Sequence, residues 1–138
     1  MTISTPGPLA LPAGTLLSLA RRGLVEAGAA ATPGERYAAA HLSALRFAAA
    51  VLACRARPGR RARPTSAWVL LADVAPELGE WAAFFAAGAR KRAAAEAGLP
   101  SAVTAREADD LVREVQAFLE MVHSSLDLPG QQLLLASG

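Results

Sequence analysis

The chain has 138 residues, enough to bury one hydrophobic core. Hydrophobic residues make up 53% and the formal charge is only +2, which excludes wholesale disorder and a strongly basic protein. One cysteine, Cys54, excludes an internal disulfide and fits a reducing cytoplasm. The N-terminus has no basic stretch ahead of an apolar one, so no signal peptide is expected. No apolar run reaches about eighteen residues, because Arg46 and Arg55 interrupt the longest candidate, and no membrane span is expected. Much of the apolar fraction is alanine, which favours helix but buries little area. The core is therefore assigned to Trp68, Leu70, Leu71, Trp81, Phe84, Phe85, Leu111, Phe118 and Leu119.

Residues 1–13, rich in proline, serine and threonine, are expected to be a disordered N-terminal segment. Leucines at 16, 17, 19 and 24 predict a first helix over 15–30, weakened by Gly23 and Gly28. Thr32-Pro33-Gly34-Glu35 has capping-box spacing with proline at the first helical position. It predicts a second helix from Pro33 to Arg55, with Tyr37, His41, Ala44, Leu45, Ala48, Val51 and Leu52 on its inner face.

From Arg55 to Pro64 the chain reads RARPGRRARP, five arginines without an acid. Pro58-Gly59 is turn chemistry and Pro64 stops a helix, so this stretch is an interhelical loop. A short helix over 65–72 carries Trp68, Leu70 and Leu71. A longer one runs from Val74 or Pro76 to Ala97 and closes at Gly98-Leu99-Pro100. Thr104-Ala105-Arg106-Glu107 is a second capping box. After it Ala108, Leu111, Val112, Val115, Phe118, Leu119 and Val122 keep helical spacing, and Pro129-Gly130 is expected to end the helix, leaving 128–138 as a tail. No stretch reads as a strand, so the fold class is all-α, an antiparallel bundle of four to five helices over 14–127.

The runs Ser66-Ala67-Trp68-Val69-Leu70-Leu71 and Val74-Ala75-Pro76-Glu77-Leu78-Gly79-Glu80-Trp81-Ala82-Ala83-Phe84-Phe85 resemble an actinobacterial branch of the HEPN superfamily. Arg106-Glu107-Ala108-Asp109-Asp110-Leu111 resembles the start of that branch's last helix. The resemblance implies an all-α bundle, often a homodimer. It implies no single activity: some HEPN proteins are metal-independent ribonucleases, including toxins of toxin–antitoxin pairs, and others are non-catalytic. The ribonucleases carry an Arg-x4–6-His motif, usually on the last long helix.

Arg36 and His41 form one such match. In that chemistry histidine moves the 2′-hydroxyl proton and arginine stabilises charge on phosphate. The match lies on the second helix, however, and thirteen arginines make accidental spacings common. Two side chains five apart on a helix also point about 140° from each other. His41 thus reads as a core-facing, hydrogen-bonded histidine, and His123 as an exposed polar residue. Arg55, Arg57, Arg60, Arg61 and Arg63, with Arg90 and Arg92 flanking Lys91 on the long helix, form a candidate surface for RNA, nucleotide or another polyanion. The loop lacks an aromatic residue to stack on bases. Trp81, Phe84 and Phe85 on a wide apolar arc mark a candidate dimer interface. Cysteine and histidine spacing makes no metal site, and no phosphate-binding glycine motif or cofactor signature is present. Two readings stand: a non-catalytic HEPN-like module binding a protein partner or polyanion, and a metal-independent HEPN-type endoribonuclease.

Overall fold

The computed structural model describes residues 11–55 and 67–137, with side chains described through 126. Most of the expected N-terminal segment and the arginines at 57, 60, 61 and 63 lie outside the described residues. The described chain is all-α, with helices α1 (Ala13–Ala29), α2 (Pro33–Arg55), α3 (Ala67–Val74), α4 (Gly79–Ala87), α5 (Ala89–Glu96) and α6 (Ala105–Ser137). A single 3-10 turn, Pro76–Leu78, leads into α4.

Helix α2 is the axis of the bundle and packs against α1, α3, α5 and α6. It is long and apolar enough to cross a membrane by composition, yet 67% of that window is buried inside the bundle. With neighbours on several sides it buries more than one stripe. Beside the expected inner face, Ser43, Phe47, Ala49 and Ala50 are buried as well. Small residues bring α1 close: Ala20, Gly23 and Ala27 are buried on one face, and Ser43 Oγ donates to the Ala20 carbonyl at 2.5 Å. Gly23, which weakens the helix by propensity, thus sits where α1 and α2 approach.

An aromatic layer fills the other side of α2. Phe85 is fully buried, with its ring centroid 4.9 Å from Phe118 and 5.3 Å from Trp68. Trp81 packs at the edge of this layer, 5.6 Å from Phe118. Phe84 is the exception among the assigned core residues, at 47% exposed. It lies about 100° around the helix from Phe85, so burial of one turns the other outward.

The helix ends follow the capping chemistry. Thr32 Oγ1 accepts from Glu35 N at 3.1 Å. At α6 the box is reciprocal: Thr104 Oγ1 accepts from Glu107 N, and Glu107 Oε1 accepts from Thr104 N at 2.9 Å. Helix α5 closes in a Schellman motif, with Gly98 at φ +77, Leu99 N bonded to Ala94 O and Gly98 N to Ala95 O.

Two expectations differ from the structure. The long helix expected over 76–97 is divided at Gly88, where Gly88 N donates to Phe85 O at 3.1 Å in a tighter turn. The last helix does not stop at Pro129 but continues to Ser137. Proline has no N–H for the carbonyl four residues back, which is that of Ser125. The Arg55 guanidinium donates to that carbonyl at 3.0 Å and replaces the missing bond.

Candidate functional site

The bend at Gly88 and the facing turn of α2 enclose a depression of about 260 Å³ lined by Tyr37, His41, Phe84, Gly88, Lys91 and Leu111, among others. Its floor is set by close approach: a Cβ on Gly88 would stand 2.8 Å from the Tyr37 hydroxyl. His41 is 1% exposed beneath it. Its Nε2 lies 2.8 Å from the Phe85 carbonyl, and a carbonyl only accepts, so Nε2 carries the hydrogen. Nδ1 is then the bare nitrogen, buried with no partner among the described residues. Burial lowers the His41 pKa below its ordinary value, and the bond to Phe85 offsets only part of this. The imidazole is a neutral staple between α2 and the end of α4. Its Nε2–H is spent on Phe85, and its Nδ1 is buried.

Arg36 leaves α2 in another direction. Its guanidinium pairs with Asp109 at 2.5 Å and donates to the Ala30 carbonyl at 3.2 Å, tying the end of α1 to α6. It lines a separate depression with Gly28, Asp109, Val112 and Arg113. The structure therefore does not bring Arg36 and His41 together. Helical geometry separates them, and each is committed to a bond between helices.

The candidate anion-binding residues that are described are mostly engaged as well. Arg55 pairs with Glu77 at 2.7 Å and reaches Ser125 through both its carbonyl and its hydroxyl. Ser125 Oγ donates to Glu77 at 2.5 Å, and this bond, with Arg55 beside it, lowers the Glu77 pKa. Arg92 pairs with Glu96 at 3.0 Å. Lys91 pairs with Glu107, which raises the lysine pKa and lowers that of the carboxylate. Arg90 is exposed. Of the three candidate interface aromatics, Phe85 is sealed in the core, Trp81 is partly buried and Phe84 presents its ring to the surface.

Sequence reasoning passed over the placement of three residues. Tyr37 and Leu111 read as ordinary core, and only the bend at Gly88 makes them walls of a depression. His123 is not a free polar residue: its Nε2 lies 2.7 Å from the Arg21 guanidinium, linking α1 to α6. Cys54 is exposed at the end of α2, and among the described residues no three acidic, cysteine or histidine side chains are placed to hold a metal.

An α2-centred bundle of this kind, with the Trp68–Phe85–Phe118 layer, defines an all-α helical module. The profile of the HEPN_SAV_6107-like HEPN family matches residues 27–123, from the end of α1 into α6, and the chain belongs to that family. No curated protein and no solved structure matches it.

Proposed function

We propose that this chain is a non-catalytic HEPN module that acts by binding a protein partner. The observation that carries this reading is the state of His41: 1% exposed, its Nε2–H spent on the Phe85 carbonyl, and Arg36 held on another face by Asp109. A ribonuclease of the HEPN type needs both groups convergent on one phosphodiester. Polyanion binding receives little support from the described basic residues, because six of the ten lysines and arginines are paired with carboxylates of the same chain. Paired charges of this kind are a solvated protein surface more than a phosphate track. The exposed Phe84 beside an open depression fits a protein contact better.

The test incubates the pure protein with structured and single-stranded RNA in chelator, beside Arg36→Ala and His41→Asn. The expected result is no cleavage by any of the three. Cleavage by the wild type that both variants lose would establish the endoribonuclease instead. The same RNAs report binding: steeply salt-dependent affinity that disappears when Arg57, Arg60, Arg61 and Arg63 are neutralised together would place the function on a polyanion.

A further inference from the structure

A seam runs between α4 and α6. The backbone of α4 packs against α3, the 3-10 turn and α5. It reaches α6 through aromatic side chains, with the Phe85 and Trp81 rings 4.9 and 5.6 Å from Phe118. Both ends of the seam are bridged by polar bonds, Lys91 to Glu107 at one and Ser125 to Glu77 at the other. Between Glu107 and Ser125 lie about 27 Å of helix. Outside the rings the seam is uncovered: Phe84 is 47% and Met121 41% exposed, and Trp81 is partly so. Met121 and Glu114 lie on the outer edge of the α6 stripe that holds Glu107, Phe118 and Ser125, at helical spacing. The two rims are acidic. Glu80 on α4 and Glu114 on α6 are exposed, and neither has an ion-pair partner among the described residues. The cations at the ends of the seam, Lys91 and Arg55, are already paired with Glu107 and Glu77.

We propose that this seam is a docking groove for a basic amphipathic helix of a different protein, its apolar stripe on Phe84, Trp81 and Met121 and its lysines or arginines against Glu80 and Glu114. The proposal rests on the reading of the chain as a partner-binding module and names the chemistry of that partner. Charge complementarity selects the occupant. Two unpaired acids face each other across an apolar floor, so the incoming helix needs cations on both edges of its apolar stripe. The same acids repel a nucleic acid or an anionic lipid surface. The spacing of the contacts suits a helix. The depression beside Gly88, about 260 Å³ and walled by Phe84 and Leu111, is a socket for one aliphatic side chain. Leu111 and Phe118, which mark the levels of that socket and of Trp81, stand about 10 Å apart along α6. That is the rise between one side chain of an incoming helix and another seven positions on. Met121, unbranched and adaptable, closes the contact beyond Trp81.

The experiment titrates the full chain with synthetic peptides of about sixteen residues, or about 24 Å as helix. One peptide carries leucine at the first, fourth and eighth positions of an apolar stripe flanked by lysines. A second has the same leucines flanked by glutamates, and a third is the first with its order scrambled. Tryptophan fluorescence reports occupancy, because Trp81 lies in the seam. The lysine peptide is expected to bind with a Kd on the order of 10–100 μM, and the other two at least about 10-fold more weakly. Phe84→Ala is expected to weaken the lysine peptide at least about 10-fold, as loss of an aromatic anchor does. Glu80→Lys combined with Glu114→Lys is expected to reverse the order of the lysine and glutamate peptides. Val69→Ser, at an exposed position on α3, is expected to change nothing. All four positions are exposed, and circular dichroism with urea midpoints confirms that each variant is folded. Absence of binding by the lysine peptide up to the order of 1 mM overturns the proposal. Equal binding of the scrambled peptide, or a peptide preference that survives the double charge reversal, overturns it as well. So does self-association that Phe84→Ala abolishes in a chain that binds no peptide, since the seam then belongs to a second copy. Each of these failures leaves the non-catalytic reading standing, because that reading is decided by RNA cleavage and not by peptide binding.

Discussion

Substituting Gly88 by alanine sets two effects of known size against each other. Gly88 has helical dihedral angles, φ −83 and ψ −4, so alanine meets no backbone strain there. It gains about 0.5–1 kcal/mol from helix propensity and from the less flexible unfolded chain. The new methyl, however, stands 2.8 Å from the Tyr37 hydroxyl and 3.4 and 3.5 Å from His41 Cδ2 and Nε2. Tyr37 is 7% exposed and its ring stacks on His41 at 6.3 Å, so the hydroxyl has little room to retreat. Overpacking of this kind costs about 1–3 kcal/mol. The net expectation is a loss of about 1 kcal/mol. Removing the obstructing oxygen reverses the sign: in a Tyr37→Phe background, Gly88→Ala should stabilise by about 0.5 kcal/mol, because the nearest remaining atom is then His41 Cδ2. Tyr37→Phe alone should be near neutral, since the hydroxyl has no hydrogen-bond partner among the described residues. Urea unfolding of the four proteins closes the cycle, with an expected coupling of about 1.5 kcal/mol. A stabilising Gly88→Ala in the wild-type background, or equal effects in both backgrounds, would refute the close approach that shapes the depression.

Stability should also respond to pH through His41. Its folded pKa is depressed by burial, so its contribution is complete above the ordinary value of 6.5 and is lost as pH falls from there through the folded pKa. Urea midpoints between pH 8 and 5 should decline below 6.5 with a slope of at most about 1.4 kcal/mol per unit, and His41→Gln should flatten that slope. An unchanged slope in the variant would show that His41 is not the group responsible. Arg55→Ala should destabilise by about 1–2 kcal/mol, because Glu77, the Ser125 hydroxyl and the Ser125 carbonyl lose one shared donor. Pro129→Ala in that background should recover part of the loss by restoring the N–H that Ser125 lacks, and no recovery would separate the two features.

What could be read from the sequence was set by local chemistry. The capping boxes at Thr32 and Thr104 located the starts of α2 and α6, because each rests on bonds spanning three residues. The inner face of α2 followed from spacing alone, and Phe118 and Val122 followed in the same way on α6. The break at Gly88 was not legible. Its angles remain helical, and the carbonyl that loses its regular partner is satisfied by a histidine 44 residues earlier. Helix α6 past Pro129 was hidden for the same reason, since the compensating donor, Arg55, comes from 70 residues away. The Arg36–His41 spacing was visible at once but uninformative. Spacing reports which residues share a helix, and only tertiary packing decides whether their side chains converge.

The Gly88 bend links these observations physically. A straight α4–α5 helix would give the Phe85 carbonyl the N–H of residue 89. The turn instead offers that carbonyl to Gly88 N and to His41 Nε2 together. His41 is then buried, with its Nε2 occupied and its pKa lowered by burial. The same turn needs a residue without a side chain, because Tyr37 stands against it. That missing side chain leaves the depression open beside Phe84. Phe85 fixes the rotation of α4 by filling the Trp68–Phe118 layer, and Phe84, one residue back, is thereby committed to the surface. A residue that restored full helix at 88 would have to displace Tyr37, release His41 and cover the apolar surface in one step. Burial of the histidine and exposure of the aromatic ring are therefore two consequences of one backbone feature.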